Sequence, residues 1–107
     1  MKGFYSNEFQ TAELGSTYKN VFSKIIDVFD DGYSGIVWIK ECTNAMKTVN
    51  IKISLDNYSN VTILSEKIIN CGEVVPFSIP RKSLGSIFEI YLSSNDKRKG
   101  SITGLIL

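Results

Sequence analysis

Thr48-Val49-Asn50-Ile51-Lys52-Ile53-Ser54-Leu55 alternates strictly, with Val49, Ile51, Ile53 and Leu55 on one side and Asn50, Lys52 and Ser54 on the other. Successive side chains of a strand point to opposite faces, so this stretch predicts a half-buried β-strand. Asp56-Asn57-Tyr58-Ser59-Asn60 follows as a turn cluster, and a second apolar run occupies 61–65. The two runs are expected to form a hairpin with a five-residue loop.

Upstream, residues 35–41 place Ile36 and Trp38 on one face and Val37 and Ile39 on the other. Apolar residues on both faces predict a covered, central strand with Trp38 in the core. Downstream, 87–93 sets Phe88, Ile90 and Leu92 against Glu89 and Tyr91, and the polar stretch 94–100 leads into an apolar run over 101–107. This pair is read as a second hairpin. Between the pairs, 67–71 and 73–79 are short runs broken by Gly72, with Pro76 and Pro80 directing the latter to a sheet edge or to strand ends.

Residues 17–29 are ambiguous. Tyr18, Val21, Phe22, Ile25, Ile26 and Phe29 fall at helical spacing. Against a helix stand the β-branched residues of 23–30 and Asp30-Asp31, negative charge where a helix C-terminus disfavours it. A strand is preferred there, and another is expected within 4–14. Isoleucine outnumbers leucine 14 to 7, which also favours sheet over helix. The expectation for 1–107 is a single all-β domain, an antiparallel β-sandwich of jelly-roll type with about eight short strands and at most one helix.

Composition narrows function mainly by exclusion. The chain has 107 residues, 43% hydrophobic and 21% charged, enough apolar surface for a folded core. A net charge of +1 gives no field for steering toward nucleic acid, which is not expected as a partner. No stretch approaches the roughly 20 apolar residues of a membrane span, and Met1-Lys2-Gly3-Phe4 leads into polar residues rather than a signal core. Neither a membrane partner nor a signal peptide is expected. Histidine is absent, which excludes Ser-His-Asp and Cys-His catalysis and leaves zinc without enough ligands, so no cofactor is expected. Cys42 and Cys71 would close a loop of about 30 residues if bridged, but with no mark of an oxidising compartment they are read as small buried hydrophobes.

Three residue groups retain binding potential. Tyr58 in a loop, Tyr91 opposite the apolar face of its strand, and Trp38 could supply flat faces for sugar rings. Lys97-Arg98-Lys99 is a basic turn suited to solubility or to an acidic partner. Asp30, Asp31 and Asp56 lie in oxygen-rich turns and are the weak calcium candidates, although Asp, Asn and Ser are also plain turn residues. Asp27, Asp30, Asp31, Glu41, Glu66, Glu73 and Glu89 are available for carboxylate-pair hydrolysis, but no sequence spacing pairs them and no enzymatic activity is expected.

The order of Phe22-Ser23-Lys24-Ile25-Ile26-Asp27-Val28, Gly35-Ile36-Val37-Trp38-Ile39-Lys40-Glu41, the alternating 49–55 run, a later proline and Gly100-Ser101-Ile102-Thr103-Gly104-Leu105-Ile106-Leu107 resembles the β-sandwich domain of phage tail, neck and fibre proteins and of some bacterial surface proteins. Leu55-Asp56-Asn57-Tyr58-Ser59-Asn60-Val61 departs from that pattern, lacking the loop glycine and tryptophan such domains often carry. The resemblance implies a non-catalytic structural subunit of a virus particle: a decoration, collar or tail accessory protein, assembled in the host cytoplasm and docking on other virion proteins or on copies of itself. The apolar end Ile106-Leu107 accords with burial in the sheet or under another subunit. The alternative is a carbohydrate-binding or adhesion module.

Overall fold

The structure, a computed structural model, describes residues 7–11, 13–27, 32–43, 46–95 and 100–107. Eight strands follow one another: β1 (Asn7–Thr11), β2 (Lys19–Ile25), β3 (Tyr33–Cys42), β4 (Thr48–Asp56), β5 (Val61–Asn70), β6 (Val74–Ile79), β7 (Ile87–Ser93) and β8 (Ile102–Ile106). They form two antiparallel four-stranded sheets, ordered β1-β8-β3-β6 and β2-β7-β4-β5. This double-sheet order is that of the jelly roll. No helix occurs among the described residues.

The alternation of 48–55 is realised as β4, whose Val49, Ile51, Ile53 and Leu55 are buried. Its hairpin with β5 also forms, antiparallel and in continuous register from Thr48↔Asn70 to Asp56↔Val61 apart from one irregularity at Ile53/Ser54. There Ile53 pairs Ser65 and Ser54 pairs Ile63, so Leu64 is the extra residue of a β-bulge and packs against the core. The bulge lets β5 continue through 67–70, which sequence alone reads as a separate run.

Residues 19–25 adopt the strand rather than the helix. Phe22 turns inward, its ring edge-on to Phe88 at 6.2 Å and 70°. The irregularity between Asn20 and Phe22 is bridged by the Asn20 amide, which donates to the carbonyls of Phe22 (3.2 Å) and Ile90 (3.4 Å).

Two expectations are corrected. The segments 87–93 and 101–107 do not form a hairpin: β7 lies between β2 and β4, and β8 lies between β1 and β3 in the opposite sheet. The chain thus passes from one sheet to the other between them, and the described residues at its two ends are held where Ser94 N–H donates to Gly15 O (2.8 Å) and Leu14 N–H to Gly100 O (3.0 Å). Cys42 and Cys71 are not separate thiols but a disulfide, with Cα atoms 6.1 Å apart. Cys42 ends β3 and Cys71 opens the turn after β5, so the jelly-roll crossover brings together residues 29 apart in sequence.

Between the sheets lies the core. Phe9, Val37, Ile39, Val75, Phe77, Ile79, Ile102 and Ile106 face Ile51, Ile53, Phe88, Ile90 and Leu92. Gly104 sits opposite Phe9 in the β1–β8 register, and a Cβ there would overlap the Phe9 ring. Gly104→Ala is therefore expected to lower stability by about 1–3 kcal/mol through overpacking. Chemical denaturation checks it; Gly104→Ala combined with Phe9→Leu should recover part of the loss.

Candidate functional site

The outer face of the β1-β8-β3-β6 sheet departs from the apolar-in, polar-out pattern of a solvated antiparallel sheet. Val37 and Ile39 are fully buried beneath it, so the alternate residues Ile36 and Trp38 point outward. Trp38 is flanked in register by Val74 of β6 and Leu105 of β8. Ile36 is flanked by Pro76 and by Leu107, with which it exchanges two backbone hydrogen bonds of 3.0 and 2.9 Å. Six apolar side chains thus share three neighbouring strands, with Val74 and Leu107 each 48% exposed. The core placement expected for Trp38 is thereby corrected: the indole is half-buried on the outside, and its Nε1–H donates to Gly72 O at 3.1 Å. Gly72 has φ +96°, a left-handed conformation that suits glycine in this tight turn, and its N–H is held by Ile39 O at 2.8 Å.

The β2-β7-β4-β5 sheet is mixed on its outer side, with Ile25, Val61, Ile63 and Ile68 exposed on its edge strands β2 and β5 and a polar, internally committed row across its middle. Asn20, Tyr91, Lys52 and Glu66 form a row across β2, β7, β4 and β5. Lys52 Nζ lies 4.7 Å from the ring centre of Tyr91 and 4.8 Å from that of Tyr18, a cation held between two aromatic faces. Tyr91 donates to Glu89 (2.8 Å) and Tyr18 to Glu66 (3.2 Å). Both phenols are pushed above their ordinary pKa, first by burial and then by the carboxylate each one bonds, with Asp56 adding to the effect on Tyr91. One ring face of Tyr91 is thus already occupied by the ammonium, and Glu66 and Glu89 serve as acceptors for phenols. Tyr18, Lys52 and Glu66 carry no local sequence signal, because their contacts depend on strands far apart in the chain.

Among the described residues Tyr58 is the most exposed aromatic. It is 77% exposed at the tip of the β4–β5 hairpin and adopts φ 73°, uncommon for a residue with a bulky side chain. The turn is built around it: Asp56 Oδ1 accepts from Tyr58 N–H (2.9 Å), and Asn57 Oδ1 from Ser59 N–H (3.1 Å) and Asn60 N–H (2.8 Å). Of the calcium candidates, Asp56 has a carboxylate oxygen engaged in this turn, while Asp30 and Asp31 lie outside the described residues, as do Lys97, Arg98 and Lys99. The structure brings none of Tyr58, Tyr91 and Trp38 together: they lie on a hairpin tip and on the outer faces of opposite sheets.

Fold and surface together define an eight-stranded jelly roll in which the middle of the β1-β8-β3-β6 sheet presents apolar side chains outward and the middle of the other sheet a polar row. Among solved structures it is similar to the crystal structure of PirA, with a TM-score of 0.62 and 11% identity over 100% of this chain and 97% of that one. A second similarity is to the structure of infectious bursal disease virus Gt strain, with a TM-score of 0.45 and 18% identity; it spans 94% of this chain and 28% of that one. No family model matches the chain. No curated protein matches it in sequence.

Proposed function

We propose that this protein is a non-catalytic docking subunit, and that the setting in which it docks is a virus particle, as a decoration, collar or tail accessory component. The observation that carries the docking reading is the outer face formed by Ile36, Trp38, Val74, Pro76, Leu105 and Leu107, where a solvated sheet would present polar side chains. Aromatic residues with a polar handle are favoured at protein interfaces, and Trp38 has its N–H already satisfied internally while its ring lies on the surface. A chain without histidine favours assembly over catalysis. Jelly rolls serve viral capsids, which supports the particle setting.

The occupant of the face is another protein chain, and the first one to test is a second copy. Sedimentation of the wild type should show association that rises with concentration, and Trp38→Glu should be monomeric while keeping the β-sheet circular dichroism of the wild type. A wild type that stays monomeric and binds no particle protein in pull-down would refute the reading.

A further inference from the structure

The edge strands of the two sheets are unequally protected against pairing with another chain. β2 is bulged between Asn20 and Phe22 and sets Lys24 opposite the buried Phe88, a charge on its core-facing side. β5 carries the Leu64 bulge and sets Lys67 opposite the buried Ile51. β6 holds Pro76 opposite Ile36, and proline offers no N–H to a neighbour. Bulges, inward-pointing charges and proline are the features that keep sheet edges from growing. β1 has none of them: its register with β8 is unbroken, it lacks proline, and Asn7, Phe9 and Thr11 on its core-facing side are uncharged. Its one guard is its length of 5 residues.

Backbone direction shows what this edge offers. Ile36 and Leu107 exchange both of their bonds, and Ser101 O accepts from Thr43 N–H, so along 101–107 the odd-numbered residues turn toward β3. Ile102, Gly104 and Ile106 therefore turn toward Thr11, Phe9 and Asn7 of β1. Bonded and non-bonded pairs alternate in an antiparallel ladder, so Glu8 and Gln10 point their N–H and C=O away from β8, where no further described strand lies. Both side chains are exposed on the outer face.

We propose that β1 pairs antiparallel with β1 of a second copy across a two-fold axis at Phe9, joining two β1-β8-β3-β6 sheets into one. In this register Glu8 of each copy lies opposite Gln10 of the other, and each such pair exchanges both of its main-chain bonds with no like charges opposed. An axis at Glu8 would oppose two carboxylates, and one at Gln10 would leave Glu8 opposite position 12, outside β1. The inference rests on the docking reading for its strength. So few bonds are worth less than the freedom lost when two molecules associate, whereas copies already joined through the Trp38 face make the second contact as an intramolecular one. The axis is perpendicular to the sheet, so the Trp38 faces of the paired copies lie side by side on one surface. Two dimers formed through Trp38 then close into a tetramer with two kinds of two-fold contact.

Sedimentation of the wild type over a range of concentrations should show dimers giving way to tetramers. Gln10→Pro deletes an edge N–H and no bond to β8, and should raise the tetramer dissociation constant about tenfold or more. Gln10→Glu, which sets a carboxylate against Glu8, should weaken the tetramer likewise, and Gln10→Lys should strengthen it, both with the β-sheet circular dichroism of the wild type. These two change only an exposed side chain, so they read the register even if the proline variant fails to fold. Tetramers absent from the wild type, or insensitive to Gln10→Glu and Gln10→Lys, overturn the proposal and leave the docking reading standing wherever Trp38→Glu abolishes dimers. A wild type that is monomeric throughout overturns both. Dimers of Trp38→Glu that Gln10→Glu dissolves would uphold the β1 pairing and overturn the docking reading alone.

Discussion

Phe88→Ala is expected to lower unfolding free energy by about 3–5 kcal/mol, the usual cost of emptying a fully buried aromatic site. Phe88 is completely buried in β7, an interior strand of its sheet, where little backbone movement is available to close the void. Its ring stands 5.0 Å from that of Phe77, which belongs to the opposite sheet, and 6.2 Å from that of Phe22 on the neighbouring strand. The residue therefore joins the two sheets as well as filling one of them. A domain of this size has a total stability of about 5–15 kcal/mol, so the loss takes a large fraction of it. Urea unfolding should show a lower midpoint with an unchanged slope, the sign of altered stability rather than an altered unfolded state. Phe88→Leu should cost only about 1–2 kcal/mol because most of the volume is kept. A loss below about 1 kcal/mol for the alanine variant would show that the sheets do not meet at Phe88 as described.

The same core shows what local sequence conveys. Val49, Ile51, Ile53 and Leu55 reveal their strand because period two and one-sided burial coincide. At 19–25 the β-branched content and the acidic pair beyond were enough to favour a strand over a helical periodicity. The reading failed where a decision depended on the partner of a strand. A polar stretch such as 94–100 has the same composition whether it turns within one sheet or arches to the other. Likewise, alternation shows that Ile36 and Trp38 share a face, but with apolar residues on both sides it cannot show which face looks outward. The cation between Tyr18 and Tyr91 is a product of cross-strand register, so no window of sequence contains it.

The disulfide is the strongest case of such a non-local feature, and its removal is the second large effect. Closing the loop between Cys42 and Cys71, 29 residues apart, restricts the unfolded chain by an amount worth about 3–4 kcal/mol in the chain-entropy model. Reduction, or the double change Cys42→Ala and Cys71→Ala, should lower the melting temperature by at least about 10 °C for a domain of this length. The effect should also have a local component, because the turn held by Cys71 continues into Gly72, the acceptor of the Trp38 indole N–H, and into Glu73, whose carbonyl accepts Ile39 N–H at 3.1 Å. Loosening this turn below the melting temperature should red-shift the fluorescence of Trp38, the chain's single tryptophan, while the β-sheet circular dichroism stays intact. Equal melting curves with and without reductant, with both thiols alkylated in the folded protein, would defeat this account. If both changes occur, the disulfide holds the turn that bonds the Trp38 indole, and the proposed docking can be tested through it. Disulfides persist outside reducing compartments, so association through Trp38 should be stronger in oxidised than in reduced protein at equal concentration.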